Sequence, residues 1–122
     1  MGNPLPPNDV PARQHFVTAD SPAHPASGLD DIVHQKARLG ILVIVHEAGR
    51  AEFSYLAQAL QLTNGNLSRH LRVLEDANLL AIEKGYADRR PRTWIALTTK
   101  GKRALKAELD VLRAIIARMP LA

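Results

Sequence analysis

The apolar residues change their spacing twice between Leu67 and Met119, and that pattern constrains the fold more than anything else in the sequence. Leu67, Leu71 and Leu74 recur at intervals of four and three. Leu80 and Ile82 then alternate with Ala81 and Glu83, and Thr93, Ile95 and Leu97 with Trp94 and Ala96. Farther on, Leu105, Leu109, Leu112, Ile116 and Met119 return to intervals of four and three. An α-helix repeats about every 3.6 residues and a strand every two, so these spacings predict a helix, a β-hairpin and a second helix.

Capping residues extend this reading in both directions. Asp30 or Asp31 is expected to cap a first helix whose apolar face, Ile32, Val33, Leu39, Leu42, Val43 and Val45, runs to Gly49. Ala51 to Phe53 reads as a short extended piece, and Ser54 as the N-cap of a two-turn helix over Tyr55–Leu60. Gln61-Leu62-Thr63 makes a tight turn, Thr63 caps a helix reaching about Ala77, and Asn78 is a left-handed stop. Gly85 to Pro91 reads as a loop joining the two strands; Thr98 caps the last helix, from Thr99 to about Met119, closed by Pro120. The expected fold is mainly α with a small β-hairpin (α+β), a winged helix-turn-helix with an added C-terminal dimerisation helix.

At 122 residues the chain amounts to one domain. Six of its eight prolines fall before residue 29. Residues 1–28 are therefore expected to be a disordered or loosely packed tail, and residues 29–122 the folded domain. Phe16 and Val17 are the tail's candidates for docking.

The charge is unevenly placed. Between Asn64 and Lys106 there are ten Lys and Arg against four Asp and Glu, while the whole chain has 16 against 12. Such asymmetry favours a polyanion on one side. The helix after the turn should bury Leu67, Leu71 and Leu74, leaving Ser68, Arg69 and Arg72 on its opposite face and Asn64, Gly65 and Asn66 in its first turn. Arginine can take guanine O6 and N7 together, and asparagine adenine N6 and N7. A glycine there lets the backbone approach closely. The hairpin adds Arg89, Arg90 and Arg92, with Tyr86 nearby, as contacts to a phosphate backbone or minor groove. Solvated surface charge is the plain alternative for Arg69 and Arg72 alone; a second basic element beside them favours nucleic acid. Thr63, at the start of the helix, completes this candidate set.

Three stretches, LDDIVHQKARLGIL (Leu29–Leu42), LTNGNLSRHLRVLEDANLL (Leu62–Leu80) and GYADRRPRTWIALTTKG (Gly85–Gly101), resemble small winged-helix regulators near the MarR and ArsR families. The branch it resembles carries LTxGNLSxHLxxLE in the recognition helix and GRRPRTxxxLT in the wing. This resemblance implies operator binding by the recognition helix and wing, with dimerisation through the first and last helices. It carries over Asn64, Asn66, Ser68, Arg69, His70 and Arg72 as readers, and Arg89, Arg90 and Arg92 as wing contacts. Ala87-Asp88 departs from the pattern, where the branch has glycine before the arginines.

The last helix has the spacing of a coiled-coil seam through Leu105, Leu109, Leu112, Ile116 and Met119. It is expected to pair two copies of the chain; capping its own core is the plainer alternative. The expected function is sequence-specific binding of double-stranded DNA by a homodimeric transcriptional regulator. The alternative is a winged-helix module that holds protein.

Other chemistry finds little footing. The five histidines, His15, His24, His34, His46 and His70, offer no ligand spacing, His34 and His46 being twelve apart on one helix. No cysteine is present, which removes thiolate sites and fits a cytoplasmic location. Ser54 and Ser68 have no base in reach of the pattern, so no enzymatic activity, metal or cofactor is expected. The longest apolar run, Ile41–Val45, is far short of a membrane span, and no signal sequence is visible. Few aromatic residues are available, so a small-molecule effector is left open but no large aromatic pocket is signalled.

Overall fold

Thr63 and Thr98, the two threonine caps expected from the sequence, mark the starts of the two helices that define the architecture. The computed structural model describes residues 16–120. A short 3-10 turn at Pro25–Gly28 precedes α1 (Lys36–Ala48), β1 (Arg50–Glu52), α2 (Phe53–Leu60), α3 (Asn64–Asp76), β2 (Leu80–Ala87), β3 (Arg90–Leu97) and α4 (Thr99–Ala117). The strands form one antiparallel sheet in the order β1-β3-β2, with Ala51 opposite Ile95 and Ile82 opposite Ile95 on its other side. This is the winged helix-turn-helix expected from the spacing.

One core joins the elements. Ile41, Leu42 and Val45 of α1, Leu56 of α2, Leu67, Leu71 and Leu74 of α3, Ile95 of β3 and Leu105 of α4 are all buried. Helix propensity alone would not hold helices of this length; their apolar faces need one another.

The turn between α2 and α3 works by backbone geometry. Gln61 adopts the left-handed conformation (φ 54°), and Thr63 Oγ1 accepts a hydrogen bond from Asn66 N at 3.1 Å. Asn78 ends α3 in the same left-handed region (φ 62°). The start of α4 is clamped there. Thr98 Oγ1 donates to Asn78 O at 2.6 Å and accepts from Gly101 N at 2.9 Å, and Lys100 Nζ donates to Ala77 O at 3.0 Å. A Cβ on Gly101 would stand 1.8 Å from Leu79 O, so only glycine permits this crossing.

Several boundaries differ from expectation. α1 begins at Lys36, not at Asp30 or Asp31, and its N-cap is Gln35, whose side chain accepts from Arg38 N at 2.9 Å. Asp30 caps a turn of its own: Oδ1 accepts from Ile32 N at 2.8 Å and Val33 N at 2.9 Å. The carboxylate thereby competes with helix continuation, as aspartates in Asx turns do. Ser54 is inside α2, where its hydroxyl donates to Glu52 Oε1 at 2.6 Å, and Glu52 holds the cap position.

The hairpin is also tighter than a loop over Gly85–Pro91. β2 runs through Ala87 and β3 starts at Arg90, leaving a two-residue turn of Asp88 (φ 51°) and Arg89 (φ 64°). Two consecutive positive φ values match the twist of the flanking strands. Pro91 lies opposite Tyr86 beyond the reach of β1, which pairs only with Trp94–Ala96, so its missing N–H breaks no bond to β1.

In α4, Leu105 is 2% exposed and belongs to the protomer's own core, which corrects its expected place at a dimer interface. Leu109 also packs against that core, whereas Ile116 (66%) and Met119 (44%) are exposed. Glu108 is buried: Oε1 accepts from Asp30 N at 3.1 Å, and Oε2 lies 2.6 Å from His34 Nδ1. The 3-10 turn packs on the same helix, Gly28 facing Val111. Residues 1–15 of the expected tail lie outside the described residues, while Phe16 and Val17 are exposed.

Candidate nucleic-acid interface

α3 presents two unlike faces. Leu67 and Leu74 are fully buried and Leu71 nearly so, which turns Asn64, Gly65, Asn66, Ser68, Arg69 and Arg72 outward, all exposed. The inward leucines set this orientation, because residues three and four apart share a helix face. Arg69 Nη2 donates to Asn66 Oδ1 at 3.0 Å, so the arginine is braced along its own helix. Thr63 Oγ1 is taken by the cap.

His70 sits apart from these outward residues. It is half-buried, and its Nδ1 lies 3.3 Å from Arg38 Nη1 on α1. A guanidinium can only donate, so His70 Nδ1 accepts and its proton resides on Nε2. Burial, the Arg38 charge and the Arg69 charge, in that order, hold its pKa below the ordinary 6.5. Arg38 also donates to Ile32 O at 2.7 Å. It thus ties the segment before α1, α1 itself and α3 together, a role no motif signalled.

The hairpin supplies the second basic element. Arg89 occupies the turn, Arg90 and Tyr86 flank it, and all three are exposed. Arg92 is set back: its Nε lies 3.4 Å from Glu52 Oε1, with both side chains about one-third exposed (32% and 27%). Arg50 stacks on Trp94, 4.3 Å from the ring centroid. These contacts brace β3 against β1.

Between α3 and the hairpin lies an open cleft of about 520 Å³, with Ser68, Arg72 and Glu75 on one wall and Ile82, Lys84 and Thr93 on the other. The structure therefore places Ser68 and Arg72 across one cleft from Lys84. Lys84 was absent from the sequence candidates; the signal was its place two residues after Ile82, on the same face of β2. Glu108 was missed as well, though it interrupts the apolar stripe of α4, standing three after Leu105 and four before Leu112.

Among the described residues no group of three His, Cys, Asp or Glu could hold a metal ion, and no helix is long and apolar enough to cross a membrane. His34 is engaged with Glu108, and His15 lies outside the described residues.

Residues 37–116 match the family described as "Winged helix DNA-binding domain". An uncharacterised protein of Methanocaldococcus jannaschii is 36% identical over 75 residues, which span 62% of this chain and 82% of that protein. Among solved structures, a transcriptional regulator homologue from Pyrococcus horikoshii OT3 is similar with a TM-score of 0.69 and 39% identity, over 74% of this chain and 89% of that one. AbsC, a MarR family transcriptional regulator from Streptomyces coelicolor, is similar with a TM-score of 0.57 and 30% identity, over 67% of this chain and 58% of that one.

Proposed function

Because the chain belongs to the winged helix DNA-binding domain family, we propose that it is a sequence-specific regulator that grips duplex DNA as a homodimer. α3 with its two caps, residues 63–77, lies in the major groove, and the wing, residues 85–92, follows the phosphate backbone or enters the minor groove. The observation that carries this reading is the pair of faces on α3, buried leucines inside and Arg69 and Arg72 outside, beside a basic wing.

The roles divide by geometry. Arg69 and Arg72 reach guanine edges, Asn64 and Asn66 read adenine or position Arg69, and Ser68 contacts the strand. Arg89 and Arg90 neutralise phosphates from the wing, with Tyr86 packing alongside. Arg92, held by Glu52, supports the wing from behind, and His70 serves the docking of α3 on α1. Leu109 and Leu112 back the dimer seam, while Ile116 and Met119, exposed on the protomer, form its contact surface. Regulation follows from occluding or recruiting at a promoter.

The test is selection of bound duplexes from a random pool, followed by footprinting and a salt titration. A homodimer should select a site with two-fold symmetry and half-sites about one helical turn apart. Affinity should fall steeply with salt as counterions are released. A flat salt response with no preferred sequence would sink this reading and point to a module that holds protein.

A further inference from the structure

Three glycines of this chain have reasons that can be read from their surroundings, and one on the DNA-facing helix has none. At Gly101 the backbone of Leu79 leaves no room for a Cβ, at Gly40 the Leu60 side chain would lie 2.8 Å away, and Gly49 adopts a positive φ of 81°. Gly65 has none of these. A Cβ there would meet nothing within 4 Å, its φ is not positive, and it lies within α3.

Glycine is a poor helix former, second only to proline, because it loses the most backbone freedom on folding. A residue that weakens the helix and relieves no crowding inside the protein answers to something outside it. Its position says what. Arg69 and Arg72 follow Gly65 by four and seven residues, so the three share one helical stripe, and all are exposed. Gly65 is the leading end of the stripe, one turn before the first arginine.

We infer that Gly65 is held free of a side chain so that the sugar–phosphate backbone of DNA can close onto α3. The inference rests on the DNA-binding reading above and deepens it. Glycine has no side-chain group with which to read a base, so its contribution is space. A contact to the strand, unlike one to a base edge, is available on every sequence.

The experiment compares Gly65→Ala and Gly65→Leu with the wild type in two measurements: thermal unfolding, and binding to a random-sequence duplex and to a selected duplex. Gly65→Ala should unfold a few degrees higher, because alanine favours the helix. Its affinity should drop about tenfold on both duplexes, the scale of one lost direct contact, and Gly65→Leu should lose more. Wild-type affinity in Gly65→Ala would overturn the inference, as would a lower unfolding temperature, which would expose a need for glycine inside the fold. A loss confined to the selected duplex would assign the space to a base edge in place of the strand. If the wild type binds neither duplex while remaining folded, the DNA-binding reading itself fails and takes this inference with it.

Discussion

Arg69 and Arg72 stand one turn apart on the open face of α3, and only Arg69 is braced, through Asn66 Oδ1. Each is expected to contribute about 1–3 kcal/mol to specific binding as a bidentate reader. Arg69→Ala and Arg72→Ala should therefore weaken a selected duplex by that amount and leave thermal unfolding unchanged, which electrophoretic or fluorescence titration can follow. Full affinity in both variants would place the recognition surface elsewhere. His70, the next residue along, carries a pH signature. Burial, with help from Arg38 and Arg69, lowers its pKa in the folded protein below 6.5. The unfolded chain then binds this proton more readily, so the stability it contributes is complete above about pH 6.5 and is lost as pH falls through the lower folded value. Thermal unfolding between pH 5 and 8 should show this decline, and His70→Gln should flatten it. An identical pH dependence in the variant would remove His70 from the account.

At the scale of elements, the wing combines strain with charge. Arg89 holds φ at 64° in a two-residue turn whose second position suits glycine. The left-handed conformation costs a non-glycine residue about 1–2 kcal/mol, partly offset by glycine's larger entropy loss. Arg89→Gly should thus stabilise the domain by about 0.5–1 kcal/mol. It should also weaken binding to all sequences alike and reduce the salt slope by about one unit, since one phosphate contact is lost. Opposite signs in the two measurements are the expected outcome. If stability rose and the salt slope stayed as in the wild type, Arg89 would not touch the strand. Behind the wing, Glu52 and Arg92 join β1 to β3, and Arg38 joins α1 to α3, so both basic elements are anchored by partners distant in sequence.

For the molecule as a whole, the question is what covers the far end of α4. Leu105 and Glu108 are spent inside the protomer, whereas Ile116 and Met119 lie exposed beyond them. Burying each such side chain contributes about 1.5–3 kcal/mol, and a two-fold interface counts it twice. Ile116→Glu together with Met119→Glu should therefore convert a dimer to monomers while leaving the exposed positions of the protomer folded. Affinity for a selected two-fold site should fall far more than affinity for random DNA, because each monomer keeps its α3 and loses the second half-site. Sedimentation at micromolar concentration reads the first effect and titration the second. A wild-type monomer with full specific binding would end the dimer proposal.

The order of the elements, the Thr63 and Thr98 caps, the Asn78 stop and the outward face of α3 were all legible in the sequence. Each depends on residues within a turn or two of one another, and local spacing encodes such relations. Other features depend on residues far apart in the chain. Glu108 meets His34 and Asp30 across 74 and 78 positions, and Arg38 meets His70 across 32. Periodicity carries no record of such pairs. Asp30 looked like the cap of α1 because its own chemistry suits a cap. It closes a separate turn, its Oδ1 accepting from Ile32 N and Val33 N while Glu108, across the fold, accepts from its backbone N–H. Leu105 reads as part of one continuous seam with Ile116, since the helical repeat treats them alike. Which part of that stripe faces inward was decided only where α4 crosses Leu79 at Gly101, a close approach that presses the first half of the helix onto the core and leaves Ile116 and Met119 exposed beyond it.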